Sequence, residues 1–518
     1  MNVVAPTSLA AKPLSDRRAF GIETVSMTKR FGSLVALDDV CIKVHAGEFH
    51  ALLGENGAGK STLVKCMMGF YTPTSGQMLV DGHEVKINAP ADAQAAGIGM
   101  VYQHFTLVPC LTAAENMVIS RADAPNVINW AKEKRALEDF MDRMPFRVPL
   151  DTLVADLAAG EKQKLEILKQ LYLDQRFLIL DEPTSVLTPA EADEILGLLH
   201  KMANAGEITV LMITHKFREV NAFADRVSVL RKGRFAGSGK VKDLSVPEMS
   251  RMMIGDAQMR EMAPRQKGVK SSSVIEVAGL TVENNEKKIA VDTINLKIRG
   301  GEIVGIAGIS GNGQSELVEA LAGQREIAGG RMFVGGSPFD ATRKDYAAMK
   351  VFGLPEEPLK NAAVKRMSVA ENIAFRTFDQ PPTAGLGWWL KPNVMRENAR
   401  HLIDGYRVKT PSPETPIENL SGGNVQRTIL ARELSGDVNV LIVANPCFGL
   451  DFASVAEIRA QLIEQRNKGA AILLISEDLD EILELADRVA VMSEGRITYQ
   501  SPIGETDRTT IGTYMAGH

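Results

Sequence analysis

Cysteine is scarce in this chain. There are four in 518 residues (Cys41, Cys66, Cys110 and Cys447), scattered, with no Cys-x-x-Cys pair and no metal-ligand spacing. That excludes a disulfide framework and a structural zinc site, and two of the four fall in stretches that read as core, as expected of reduced thiols in a cytosolic protein. Long apolar runs are also missing: none approaches the roughly 20 residues needed to cross a bilayer, so any work at a membrane is done from outside the lipid. The first 20 residues carry Lys12, Arg17 and Arg18 without an apolar stretch, which reads as a polar tail over 1–20 and not as a secretory leader. Nor is there an excess of positive charge. Lys and Arg number 59 against 64 Asp and Glu, a net charge of −5, which gives no support to bulk nucleic-acid binding.

What is present is ordinary globular material, 45 % hydrophobic and 24 % charged, in a chain too long for one core. Internal repetition divides it. Asp38-Asp39-Val40-Cys41-Ile42-Lys43-Val44 through Glu48 recurs 254 residues on as Asp292-Thr293-Ile294-Asn295-Leu296-Lys297-Ile298 through Glu302. The same offset carries Gly54 onto Gly308 and Lys60 onto Gln314. The expected organisation is a first domain over 21–255, a linker over 256–273 and a second domain over 274–518.

In the first copy, the alternating stretch Glu23 to Val44 and the run Gln77 to Ile87 suggest antiparallel strands. Ala113 to Leu173 is rich in helix formers and reads as a helical subdomain with a return helix. Apolar strands at Ile98 to Gln103, Phe177 to Leu180 and Thr209 to Thr214 alternate with helical stretches such as Ala190 to Ala203. That pattern predicts an α/β fold with a buried parallel sheet.

The organising motif is Gly54-Glu55-Asn56-Gly57-Ala58-Gly59-Lys60-Ser61-Thr62, which fits G-x-x-x-x-G-K-[ST] throughout and lies between an apolar strand and a helical stretch. Its glycines let backbone N–H groups face a β-phosphate, and the helix behind adds its positive dipole end. Lys60 reaches the β- and γ-phosphates and the Ser61 hydroxyl can ligate Mg²⁺. Asp181 and Glu182 stand at the C-terminal end of an apolar strand, the ligand-binding edge of an open α/β sheet. Asp181 is expected to hold Mg²⁺ and Glu182 to polarise the attacking water. His215 ends the next strand as a candidate γ-phosphate sensor. Gln103 ends another, as a candidate contact to metal or water. Phe31, in Lys29-Arg30-Phe31-Gly32, could stack on a purine ring.

Together these pieces resemble the ATP-binding-cassette (ABC) ATPases, over both halves of the chain. The resemblance implies two tandem ABC domains, each a parallel-sheet core with an antiparallel β subdomain and a helical subdomain. It also implies a signature loop that closes over the nucleotide of the opposite domain in a head-to-tail pair. In the second copy that loop reads Leu420-Ser421-Gly422-Gly423-Asn424, close to the family's Leu-Ser-Gly-Gly-Gln. In the first copy it reads Leu157-Ala158-Ala159-Gly160-Glu161, without the serine and with an added acid.

The other losses fall in the second copy. Gln314 replaces the lysine and Glu316 follows it; Ala444-Asn445 replace the carboxylate pair. Glu477 stands at the histidine position, Glu356 at the glutamine position and Asn285 opposite Phe31. Paired head to tail, Lys60, Asp181, Glu182 and His215 meet the intact signature at Ser421. Every defect then falls in the other site.

Tandem cassettes without a membrane span are similar to the energising subunits of bacterial importers for simple sugars and nucleosides. Asp181 to Pro189, His215-Lys216, Gly311 to Val318, Ala444 to Asp451 and Ser476 to Glu481 resemble the nucleoside branch. The resemblance implies ATP and Mg²⁺, transmembrane permease subunits, an extracytoplasmic substrate-binding protein and peripheral attachment at the inner face of the cell membrane. Permease docking is expected around Phe105 to Glu115 and Glu356 to Glu371. The alternative is a soluble tandem ABC protein acting on the ribosome; a non-catalytic scaffold is a third.

Overall fold

The computed structural model describes residues 18–515, apart from 103–104, 122, 126, 145, 185–186, 215, 256–261, 267–272, 310, 386–388, 448–449 and 451. Two of the expected site residues, Gln103 and His215, lie outside the described residues, as does most of the expected linker. The chain divides into two compact units, Met1–Asp256 and Ala257–His518.

In the first unit the strands run β1 (Ile22–Phe31), β2 (Leu34–Val44), β3 (Phe49–Gly54), β4 (Ser75–Val80) and β5 (His83–Val85). They continue as β6 (Ile98–Val101), β7 (Phe177–Asp181), β8 (Thr209–Ile213), β9 (Arg226–Arg231) and β10 (Arg234–Lys240). Four form an antiparallel sheet in the order β2-β1-β4-β5. Six form the main sheet in the order β10-β9-β3-β8-β7-β6, parallel except for β10.

Burial on both faces explains why β7 and β8 read as unbroken apolar runs. Phe177 and Ile179 point into the core shared with the antiparallel sheet and the helix Lys60–Met67. Leu178 and Leu180 point to the opposite core, against the helices Ala159–Tyr172 and Pro189–Asn204. Val210 and Met212 alternate with Leu211 and Ile213 in the same way. Each such side chain contributes about 1.5–3 kcal/mol on burial, so the central strands are the most firmly held part of the unit.

The second unit repeats the plan. Its main sheet runs Val351–Leu354, Val440–Ala444, Ala471–Ser476, Ile303–Ala307, Arg488–Ser493 and Arg496–Pro502, the first unit's order read from the other edge. The helical subdomains repeat down to single hydrogen bonds. Thr112 caps its helix reciprocally with Glu115, and Ser368 does so with Glu371. Buried Asn116 accepts from the backbone N–H of Val108 at 2.7 Å, and buried Asn372 from that of Val364 at 2.9 Å.

Candidate active site

Strand β3 runs into the glycine loop, and the helix Lys60–Met67 leaves it. The tight path needs glycine at two points. At Gly54 a Cβ would come within 2.5 Å of the Leu230 carbonyl oxygen. At Gly59 φ is +103°, and a Cβ would lie 2.9 Å from both the Ala36 oxygen and Leu37 Cδ2. Gly59→Ala is therefore expected to destabilise the first unit by about 1–3 kcal/mol, read as a lowered denaturation midpoint.

Glu55, Gly57 and Ala58 shape the turn, with the Ala58 N–H donating to the Glu55 oxygen at 3.0 Å. Asn56, Gly57 and Ser61 are exposed; Thr62 is half-buried. Lys60 is buried under the loop and donates to the Gly54 oxygen at 2.6 Å and the Glu55 oxygen at 3.1 Å. Burial pulls its ammonium below the usual lysine range, against the opposing pull of Glu182, Asp181 and Glu55. Its own loop holds the lysine where a phosphate would meet it.

Asp181 closes β7, with its carboxyl raised by burial and then by Glu182, and lowered in part by Lys60 and Lys65. A carboxylate short of compensating charge fits a divalent cation. Among the described residues no group of three or more His, Cys, Asp or Glu could hold a metal alone. Mg²⁺ typically takes one or two protein ligands and completes its shell with water and substrate phosphates. Ser61, one residue past Lys60, is the candidate for a second protein oxygen. Glu182 stands at φ +48°, and its N–H donates to the Ile213 oxygen at 2.9 Å, tying the residue to the end of β8.

Phe31 is 41 % exposed at the end of β1. Tyr71 meets it edge to face at 5.2 Å, and Lys29 Nζ lies 5.0 Å from its ring centroid. Lys65 Nζ lies 5.6 Å from the Tyr71 ring. Neither Tyr71 nor the lysines stood out in the sequence, because nothing in their spacing announces a cluster built from a strand end and the far end of a helix. In the second unit Asn285 holds the Phe31 position and accepts from Arg325 at 3.1 Å.

The two signature loops differ in charge at the helix start. Ser421 is exposed and is the N-cap of the helix Gly422–Leu434. Its hydroxyl accepts from the Asn424 amide at 2.8 Å, which leaves the hydroxyl proton available to an anion. Exposed Gly422 and half-buried Gly423 follow it without side chains that would crowd the opening turn. In the first unit Ala158 has no hydroxyl, and its N–H donates at 3.0 Å to the Glu161 carboxylate. An acid already occupies that helix start.

The second unit's glycine loop keeps its backbone but not its charges. Gln314 is buried, and among the described residues its Nε2 has no hydrogen-bond partner. Asn445 repeats the left-handed backbone of Glu182, at φ +41°, and accepts from the Glu477 N–H at 2.9 Å. A cavity of about 1290 Å³, lined by Gln314, Ser315, Glu356, Asn445 and Glu477 among others, occupies this side of the second unit.

An antiparallel sheet against a P-loop sheet, a helical subdomain and a signature helix, present twice, define a tandem nucleotide-hydrolysing cassette protein. The ABC transporter family pattern matches residues 37–185 and 291–447. The chain belongs to that family and is a tandem ABC ATPase. It is 36 % identical over 501 residues to the nucleoside import ATP-binding protein NupA of Lactococcus lactis, covering 96 % of this chain and 98 % of the relative. It is 38 % identical over 500 residues to the guanosine import ATP-binding protein NupO of Bacillus subtilis, covering 96 % and 97 %. Among solved structures, the archaeal ribosome recycling factor aABCE1, in complex with the ribosomal stalk protein aP1, matches with a TM-score of 0.60 at 18 % identity. That match covers 92 % of this chain and 90 % of the other, and is a likeness of fold.

Proposed function

We propose that the chain is the ATP-hydrolysing, energy-coupling subunit of an importer for nucleosides, with simple sugars as the alternative cargo. Hydrolysis takes place at one composite site, and the other is silent. The observation that carries this reading is how the losses are distributed. Lys60, Asp181 and Glu182 are retained together in one unit, and Ser421 to Asn424 in the other. Gln314, Ala444, Asn445, Glu477 and Glu161 are the departures, and a head-to-tail pairing gathers all of them into one site. The full-length relatives named for import support the transport role, and NupA and NupO support nucleosides. The match to the ribosome recycling factor is of fold alone and does not favour the ribosomal reading.

In this site the glycine-loop N–H groups and Lys60 bind the β- and γ-phosphates, while Phe31 faces the purine. Ser61 and Asp181 would hold Mg²⁺, with Gln103 as a further candidate contact, and the bound ion would supply positive charge against the phosphates. Glu182 orients the attacking water and accepts its proton; His215 contacts the γ-phosphate. Ser421 donates from the opposite unit, and closure around the nucleotide drives the permease.

Permease subunits, with a substrate-binding protein on the far side of the membrane, would hold the chain at the inner face of the cell membrane. None of the described helices is long and apolar enough to cross it. The docking surfaces are the segments Phe105 to Glu115 and Glu356 to Glu371. Both present a valine 38 % exposed, Val108 and Val364, at the backbone that Asn116 and Asn372 hold rigid. Reversing exposed Lys365 and Arg366 to Glu is expected to cut cargo uptake by roughly tenfold or more while leaving ATP affinity unchanged. Unchanged uptake in vesicles carrying the assembled transporter counts against this surface. Co-expressed permeases should also carry the chain into the membrane fraction, which a ribosomal factor would not follow.

A further inference from the structure

We infer that Glu219, a buried acid outside every motif considered above, is a positioning residue for hydrolysis: it locks together the two loops that bear Glu182 and His215. It lies in the helix Phe217–Phe223. One carboxylate oxygen accepts from the Thr184 hydroxyl at 2.5 Å, the other from the Thr214 hydroxyl at 3.0 Å. Thr184 follows Glu182 by two residues on the loop leaving β7. Thr214 immediately precedes residue 215 on the loop leaving β8. Lys216 Nζ lies 3.6 Å from the same carboxylate and 3.3 Å from Thr184 Oγ1, which closes the cluster.

The chemistry explains why an acid is needed. An ionised carboxylate only accepts, with two oxygens, so it takes a proton from each hydroxyl at once. The arrangement also opposes a strain. Glu182 is held at φ +48°, a conformation that costs a non-glycine residue energy and persists only where its surroundings over-determine it. One restraint is its own N–H bond to the Ile213 oxygen at 2.9 Å. The second is the Thr184–Glu219–Thr214 bridge, which fixes the chain just beyond.

The second unit supplies the contrast. Glu481 occupies the Glu219 position and accepts from Ser476 at 2.7 Å, and Cys447, standing where Thr184 would be, sets only a weak thiol donor against the same carboxylate. There the left-handed residue is Asn445, a type that adopts this conformation readily. The strong hydroxyl donor stands where the strained acid is, and the weak thiol donor where the strain is small.

This role rests on the proposed reading of Glu182 as the general base. Its test compares steady-state ATP hydrolysis by the full chain carrying Glu219→Gln, Thr184→Val, Thr184→Ser or Glu182→Gln. Glutamine keeps the size of Glu219 but only one acceptor oxygen. Valine removes the Thr184 hydroxyl, and serine restores it. A misplacement on the ångström scale predicts kcat about 10²-fold lower for Glu219→Gln and Thr184→Val, with KM for ATP unchanged because the Lys60 loop is untouched. Thr184→Ser should recover most of the loss. Wild-type kcat in Glu219→Gln and Thr184→Val beside an inactive Glu182→Gln overturns the bracing role and leaves the reading of the site standing. A fall in kcat that serine does not rescue and that tracks a lowered melting temperature also overturns it, as mere stabilisation. Full turnover in Glu182→Gln overturns the reading of the site, and the bracing role with it.

Discussion

Glu182→Gln is expected to lower ATP turnover by about 10²–10⁴-fold, the range a positioned general base supplies, while ATP still binds. The glutamine keeps the shape and a hydrogen-bonding oxygen at the end of β7 but cannot take up the proton of the attacking water. Asn445→Ala in the second unit is expected to leave kcat within about twofold, since an amide at that position cannot take up a proton from water in the first place. Its cost is local: the Glu477 N–H loses the acceptor it has at 2.9 Å, and a left-handed backbone passes to a less tolerant residue. Phosphate release measured in parallel on the two variants separates the models. Equal losses would end the proposal of one hydrolytic and one silent site, because two working sites would each depend on their own unit's residue.

Lys60→Ala is expected to remove most MgATP affinity at the hydrolytic site. The ammonium is buried and held against the loop by the Gly54 and Glu55 oxygens, so it reaches phosphate already placed. Each charged hydrogen bond contributes about 1.5–3 kcal/mol, roughly a tenfold to a hundredfold effect on the dissociation constant. The carboxylates of Asp181 and Glu182, which it partly offsets, would then face the phosphates with less compensating charge. Gln314→Lys should not restore turnover to the second unit, because Ala444 and Asn445 still lack a carboxylate. Nucleotide titration by fluorescence or calorimetry reads both effects. The pH dependence has a definite sign. Burial lowers the Lys60 pKa, so its charge is present below that pKa and is lost on raising the pH sooner than for an exposed lysine. Affinity should therefore fall on the alkaline side, and Lys60→Arg should flatten the fall even where it weakens binding. Unchanged affinity in Lys60→Ala would remove the lysine from phosphate binding.

The glycine loop, the acid pair after β7 and the internal repeat were all legible in the chain because each is local. A phosphate cradle needs glycines and a lysine at fixed spacing along one turn. A metal-binding acid at a strand end needs only an apolar run before it, and β7 and β8 announce themselves because both faces are buried. The placing of Lys60 back on the Gly54 oxygen, the seating of Tyr71 and Lys29 against Phe31, and the Glu161 carboxylate on the Ala158 N–H were not legible. Each depends on where a side chain turns after the backbone has been placed. The bridge through Glu219 shows the reason most clearly. Its partners lie 35 and 5 residues away and meet only because the sheet sets β7 beside β8. The sequence by itself determined which residues are the candidates to meet a phosphate, since that chemistry is written in residue type and spacing. Only the tertiary structure decided which buried groups hold those residues still, since strand order is set by the packing of the whole core and not by any stretch of it.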